Sequence, residues 1–439
     1  MKKMMKKALS VLLTLALSMS FVACGSSEGG KSTDVAEKPQ SSEDTTVEAG
    51  TESGPKEHDT FKIAVLEAQL NDESTNRVTY FKEYIGPRYN CEFMFSEACT
   101  TLDAAMTFIE NAADAGCHAV INYYAVAANT DQLLQLCQEY GMYYVENSGR
   151  TPGNEAAYAA KYNNFGGGFQ ADQADTGRKF HDYLIETMDS SVTHNFIVAT
   201  GNAYQGNTQQ TEISTNMLEA IAEIYGLTYD SSIQDLITSS SPINATNDKG
   251  IEVYCYPEAP NVSGWLEGLS AALQTGKYDY LLLSPNALGN IGTVVSEVEE
   301  ALDKDITVIG FGAFGEVLTN AFNTRDKFGN TTCSMSTVKF TSLVSSMAFS
   351  QVYNMLTGHP EAVLDENGDP SVLLFRMQSV ITPVQLAEMS GYDTDGKWVA
   401  DYTIVDSLLS EYNEGLTSAE IQEKIYAVTY DSIKARLGE

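Results

Sequence analysis

The chain has 439 residues, of which 59 are acidic and 26 basic, for a formal net charge of −33. A field of that sign repels nucleic acid and anionic headgroups, and no basic stripe interrupts it, so a nucleic-acid partner is excluded. The length exceeds what one hydrophobic core serves and points to two lobes.

Lys2, Lys3, Lys6 and Lys7 open the chain, and an apolar run follows from Ala8 through Phe21. A basic start, a short apolar core and a small residue before the cleavage point make residues 1–23 a secretory signal, too short to span a bilayer. Phe21-Val22-Ala23-Cys24 resembles the bacterial lipobox, with Phe21 standing where that pattern prefers Leu. The resemblance implies an extracytoplasmic protein held on the cell membrane by lipidation of Cys24, through acyl chains such as palmitate and without crossing it. Losing the four signal lysines would take the formal charge from −33 to −37. Residues 24–59 are Ser, Gly, Glu, Thr and Lys without apolar period, too polar to offset their ordering entropy, and read as a disordered tether.

From Phe61 a rhythm begins. Phe61 to Leu66 is a short apolar strand, Asn71 to Glu83 has helical polarity, and Glu92 to Phe95 is a second strand. Ala105, Phe108, Ile109 and Ala112 keep the spacing of an amphipathic helix, and Ala119 to Tyr123 is a third strand. A helix starting at Asn129, with Gln132 as capping-box partner, buries Leu133, Leu136, Cys137 and Tyr140; Gly141 ends it before the strand Met142 to Val145. After the Gly-rich Asn163 to Gly168 the rhythm restarts with a helix over Ala171 to Met188. Strands at Phe196 to Thr200, Ile251 to Tyr256, Tyr280 to Leu283 and Thr307 to Phe311 follow, separated by helices at Thr211 to Tyr225, Trp265 to Leu273 and Ile291 to Leu302. Ser231 to Lys249 reads as a polar surface loop. Short strands alternating with amphipathic helices, in two similar halves, predict an α/β fold of two doubly wound parallel-sheet lobes.

Six cysteines lie beyond Cys24: Cys91, Cys99, Cys117, Cys137, Cys255 and Cys333. None forms a CxxC, and their spacing fits neither a small disulfide framework nor a zinc site. Cys117, Cys137 and Cys255 fall on apolar faces, and a Cys91–Cys99 bridge is left open.

The order of segments from Phe61 to Glu388 resembles the type I periplasmic binding proteins, the sugar-binding subfamily of ABC-importer receptors. The resemblance rests on Phe61 to Val65, on Phe108 to Tyr124, on Tyr280 to Gly292, on Val308 to Phe311, on Thr332 to Met347 and on Leu356-Thr357-Gly358. It implies a first lobe of residues 60–163 plus 338–360. A second lobe would take 164–337 plus 370–390, with a strand at Val372 to Gln378, and the chain would cross a three-strand hinge. Residues 391–439 are expected as a helical tail packed on the second lobe.

Ligands meet open parallel sheets at the carboxyl ends of their strands. In the first lobe that rule selects Gln69, Asn71, Tyr123, Tyr124, Glu146 and Asn147. In the second it selects Asn202, Tyr204, Gln205, Gln209, Asn286, Phe314 and Glu316. Ser336 lies near the hinge position where the resembled family often carries Gln. Amides and aromatics suit a polyhydroxylated ligand, through paired hydrogen bonds to hydroxyls and ring faces against C–H surfaces. Against the family, Ala287 and Gly312 stand where Asp is usual and Ile213 where pentose binders carry Arg, so the pocket is not a familiar pentose or hexose site.

Other motifs carry no chemistry. Gly310 to Gly315 matches GxGxxG but opens no βαβ unit ending in an acidic residue, so no nucleotide cofactor is expected. Asp365 to Asp369 starts like a calcium loop, yet Pro370 replaces its glycine and Arg376 its bidentate Glu; with Asp393 to Gly396 it reads as a turn, and no metal is expected. The five histidines are scattered, and no nucleophile is set beside a base, so the chain is not expected to be an enzyme. Trp265 reads as core and Trp398 as an anchor for the tail. The function implied is that of a monomeric solute receptor taking a small polar ligand, a saccharide first, to an ABC import permease. A receptor for a nucleoside or another small metabolite, or a ligand sensor for a transmembrane kinase, would share the same fold.

Overall fold

The computed structural model describes residues 58–124, 126–148, 154–393 and 396–437. The signal, Cys24 and the tether lie outside them, as do two residues of the turn expected at Asp393 to Gly396. The first lobe opens with β1 (Phe61–Leu66) and α1 (Asp72–Thr79), which runs through a π-helical stretch (Tyr80–Ile85) into the single turn α2 (Gly86–Arg88). It continues with β2 (Cys91–Phe95), α3 (Leu102–Asp114), β3 (Ala119–Asn122), α4 (Ala127–Glu139), β4 (Tyr143–Asn147), α5 (Glu155–Lys161) and β5 (Phe165–Ala171). The second lobe follows as α6 (Gln173–Thr187), β6 (Phe196–Gly201), α7 (Thr208–Tyr225), α8 (Ile233–Ile237), β7 (Ile243–Asn244) and β8 (Val253–Pro257). It is completed by α9 (Trp265–Leu273), β9 (Tyr280–Leu283), α10 (Leu288–Leu302), β10 (Thr307–Gly310) and α11 (Glu316–Asn323).

The chain then passes β11 (Ser336–Val338) and returns to the first lobe as α12 (Thr341–Leu356) and β12 (Val372–Phe375). It leaves again through β13 (Gln378–Val380), antiparallel to β11, and α13 (Pro383–Gly391), which packs on α11. The tail carries α14 (Tyr402–Ser407), α15 (Ser418–Tyr426) and α16 (Tyr430–Leu437).

The first sheet is parallel, in the order β12-β5-β4-β3-β1-β2; the second runs β10-β9-β6-β8-β7 and is parallel except for β7. Both are buried on two faces, as parallel sheets covered by helices are. Strand alternation divides the core. Ala64 and Leu66 pack with Phe108, Ile109 and Leu133 of α3 and α4, while Ile63 and Val65 share the opposite cluster with Phe81 and with Phe349 of α12. In the second lobe Phe196 and Val198 meet α6 and α7, and Ile197 and Ala199 share a cluster with Trp265 and Ile291.

Three sequence expectations are corrected. The Gly-rich stretch and the strand at Val372 lie in the first sheet, β12 pairing with β5 from Val372–Gly168 to Phe375–Ala171, so the first lobe extends past residue 163 and includes residues 372–375. The glycines are there for close approach. A Cβ on Gly167 (φ +98°) would sit 2.2 Å from the Ser371 carbonyl oxygen and 2.8 Å from Gln351 Nε2 of α12. The tail packs mainly on the first lobe: Tyr402 stacks on Tyr84 at 4.0 Å, the Tyr80 hydroxyl donates to the Ala400 carbonyl at 2.7 Å, and Arg88 pairs with Asp406 at 2.6 Å. Residues 231–249 hold α8 and β7, which adds an antiparallel edge to β8, and are not only a loop.

In α4 the helix starts at Ala127 after Val126 without a side-chain cap, and Tyr140 is exposed. All six described cysteines are free and buried, so Cys91 and Cys99 are not bridged. Burial pushes the thiols of Cys255 and Cys333 up to about 12. Trp265 is core, and Trp398 packs on Tyr80 as the tail's anchor. Among the described residues no helix is long and apolar enough to cross a membrane.

Candidate functional site

The carboxyl ends of the two sheets face each other across a cleft of about 530 Å³. The loop after β1 supplies Glu67 and Gln69, α1 supplies Glu73 and Arg77, and Tyr123 and Asn147 come from the ends of β3 and β4. Gln209 enters from α7, Asn286 from the loop after β9, and Phe311, Gly312 and Ala313 from the loop after β10. The hinge crossings form the floor, with Ala171 and Gln173 on the first, Lys339 on the second, and Phe375 and Met377 on the third. A second chamber of about 430 Å³ shares Asn71, Glu73, Asn286, Gly312 and Ala313 and adds Phe314 and Glu316.

Local structure aims these groups. Asn71 caps α1 by accepting from the Ser74 amide at 3.0 Å, while Ser74 Oγ accepts from the Asn71 amide at 2.8 Å. This reciprocal box fixes where α1 begins, and so brings Glu73 and Arg77, one turn apart, to the cleft. It also commits the carbonyl of the Asn71 side chain to the helix, leaving its amide nitrogen for a ligand. The side chains of Gln69, Gln209 and Asn286 have no hydrogen-bond partner among the described residues.

A chain of ion pairs crosses the floor. Arg77 Nη1 donates to both oxygens of Glu67 at 2.6 Å, Arg77 Nη2 donates to Glu73 at 2.7 Å, and Lys339 Nζ lies 2.9 Å from the same Glu73 oxygen. The Arg77 guanidinium lies 3.6 Å over the ring of Tyr123, which takes one aromatic face away from any ligand. Burial raises the Glu67 carboxyl above its ordinary value, and Arg77 offsets this only in part. Burial opposes ionisation of Glu73 as well, but Lys339 and Arg77 hold it below the ordinary value. Burial lifts the Tyr123 phenol to about 12. Two carboxylates and two cations cancel, each already partnered, so a charged ligand would have to break a pair, whereas a neutral one meets free amides and two phenyl rings. No serine, threonine, cysteine or histidine lines the main chamber among the described residues.

Of the fourteen residues that the sequence offers for a ligand, Gln69, Asn71, Tyr123, Asn147, Gln209 and Asn286 line the main chamber, and Phe314 and Glu316 line the second. The other six, Asn202 among them, lie elsewhere. Tyr124 is buried in the core of α3 and α4, its hydroxyl accepting from Asn129 at 3.2 Å, because neighbouring residues leaving a strand point to opposite faces. Tyr204 and Gln205 form a short 3₁₀ turn and bond to each other at 2.5 Å. Ser336 is fully buried in β11, beneath Gly312, where a Cβ would come within 2.6 Å of its Oγ. That approach accounts for glycine at 312. Glu146 points into the first lobe, accepting from Thr130 at 2.8 Å and Tyr144 at 3.1 Å, and burial lifts its carboxyl to about 7. Sequence reasoning missed Glu67, Glu73, Arg77 and Lys339. The four-residue spacing of Glu73 and Arg77 was the only local signal.

No family model and no curated protein sequence matches the chain. Solved structures do. A periplasmic solute-binding protein from Actinobacillus succinogenes 130z with bound D-allose superimposes with a TM-score of 0.52 at 14% identity, over 75% of this chain and 100% of its own. A solute-binding protein from Bacillus halodurans C-125 with bound myo-inositol gives 0.51 at 14%, over 76% and 98%, and one from Burkholderia graminis C4D1M with D-arabinose gives 0.51 at 11%, over 74% and 96%. The fold is that of the type I periplasmic binding proteins: two doubly wound lobes joined by a three-strand hinge. The neighbours that share it are ABC-transporter binding proteins.

Proposed function

We propose that this chain is an extracytoplasmic receptor that captures a neutral saccharide or polyol between its lobes and hands it to an ABC import permease, without catalysis. The cleft carries the reading. Unpartnered amides on both lobes face a chamber of about 530 Å³ whose four charged groups neutralise one another. Such a lining can pair with vicinal hydroxyls and leaves no counter-ion for a charged ligand. Phe311 and Phe375 offer ring faces for a sugar's C–H surface. Allose, inositol and arabinose in the neighbours belong to the same chemical class. Lipidation of Cys24 would keep the receptor near its permease and raise its effective concentration there.

A thermal-shift screen of the purified protein against monosaccharides, disaccharides, polyols and nucleosides tests this. A ligand at a hundred times its dissociation constant stabilises by about 2.7 kcal/mol. Neutral sugars or polyols should shift the melt, and Asn286→Ala should remove the shift while leaving the ligand-free melt in place. A shift with nucleosides alone would replace the saccharide reading.

A further inference from the structure

The hinge has a face opposite the cleft, and the tail occupies it. Ala171 and Gln173 line the cleft, so Asp172 between them points away; Phe375 and Met377 line it too, so Arg376 does likewise. Both outward residues meet Tyr426 at the end of α15. Its hydroxyl donates to Asp172 Oδ2 at 2.6 Å, and the Arg376 guanidinium lies 4.6 Å over its ring.

On either side of that point the tail grips a different lobe. Toward the first, Gln422 lies along the outer edge of β12, accepting from the Leu374 amide at 2.7 Å and donating to its carbonyl at 2.8 Å. Asp393 enters α12, accepting from the Ser342 amide at 2.8 Å. Toward the second, the Tyr430 amide donates to Gln378 of β13 at 3.2 Å, and Tyr430 and Lys434 of α16 both bind Glu388 of α13, Lys434 at 3.1 Å. Arg436 pairs with Asp401 and closes the tail on itself.

We propose that the tail is a strap across the outer face of the hinge that sets the resting angle between the lobes. Closing the cleft spreads the lobes apart on that face and stretches the grip of α16 on Glu388. Opening the cleft drives the lobes together there and compresses it. A hinge held at three strands alone has no such restoring contact. The inference rests on the fold and not on the identity of the ligand, so it stands or falls independently of the saccharide reading.

Glu388→Ala, and separately Tyr430→Phe with Lys434→Met, release the grip at partly exposed side chains. Hydrogen exchange on the ligand-free, full-length protein reads the result. Peptides covering 171–173, 338–341 and 375–378 should exchange at least about threefold faster in both variants, with β1, β3, β6 and β9 unchanged. Small-angle scattering should report a wider spread of lobe separations. Unchanged hinge exchange in both variants would overturn the proposal. So would faster exchange across the sheets as well, because the contact would then serve global stability instead of the hinge.

Discussion

Replacing Arg77 with Met removes the only cation among the described residues that pairs with Glu67 and leaves that carboxylate inside the cleft floor. Both side chains are 4% exposed, and the pair is bidentate at 2.6 Å, so solvent cannot take over the lost partner. Stranding one member of a buried pair costs about 3–5 kcal/mol, a large share of the 5–15 kcal/mol that holds a typical domain. Met fills much of the arginine stem's volume, so the loss is of charge more than of packing. Adding Glu67→Met removes the stranded charge, and the double variant should recover most of the stability. The single variant's deficit should also shrink at pH 5, where a carboxyl already raised by burial can take up a proton. Urea titration followed by far-UV circular dichroism reads the loss as a lower midpoint. A single variant within about 1 kcal/mol of wild type, or a double variant no better than the single, would refute the claim that Arg77 is required because Glu67 is buried.

Glu146 has a pH dependence of the same sign, with no cation beside it among the described residues. Its carboxyl titrates near 7 in the folded protein against an ordinary 4.5, so the folded state holds the proton more tightly between those values. The stabilisation is complete below pH 4.5 and is lost as pH rises through 7, at a cost on the order of 3 kcal/mol above it. Glu146→Gln should therefore melt well above wild type at pH 8.5 and alongside it at pH 4; a difference independent of pH would show that the carboxyl does not hold its proton. Gly167→Ala would press a methyl group against the Ser371 carbonyl at a φ of +98°. It should lower stability by more than about 2 kcal/mol, as judged by the urea midpoint, and a change under about 0.5 kcal/mol would mean that β5 can shift to make room.

The alternation of apolar strands and amphipathic helices made both sheets legible, because in a βαβ chain the period of each segment states which faces are buried. The strand-end rule found Gln69, Asn147, Gln209 and Asn286 for the same reason, since it needs only local position. It could not choose between Tyr123 and Tyr124, where one residue of offset sends one ring to the cleft and the other to the core. Nor could it find Lys339, whose carboxylate partner Glu73 lies in the other half of the sequence and is brought to it only by the hinge. Gly166 to Gly168 misled because glycine is poor in strands unless another backbone must come close, and that backbone, β12, lies about 200 residues further on.

The tail reads as helices expected on the second lobe, but nothing in those helices says which lobe covers them. The clue to their partner lies in α12 instead. From Thr341 to Leu356 that helix carries no charged residue, and all but its last residue are buried. A helix on the outside of a two-lobed fold carries a charged, solvent-facing side. One without it must be covered on both sides, and the first sheet supplies a single cover. Among the described residues the other cover comes from the tail beyond α13. Asn354 receives it, donating to the Leu408 carbonyl at 3.0 Å and accepting from the Ser410 amide at 2.9 Å, and the Tyr353 hydroxyl donates to Glu411 at 2.7 Å. The uncharged, buried α12 thus goes with the tail lying on the first lobe, and the grip of α16 on Glu388 turns that cover into a link between the two lobes.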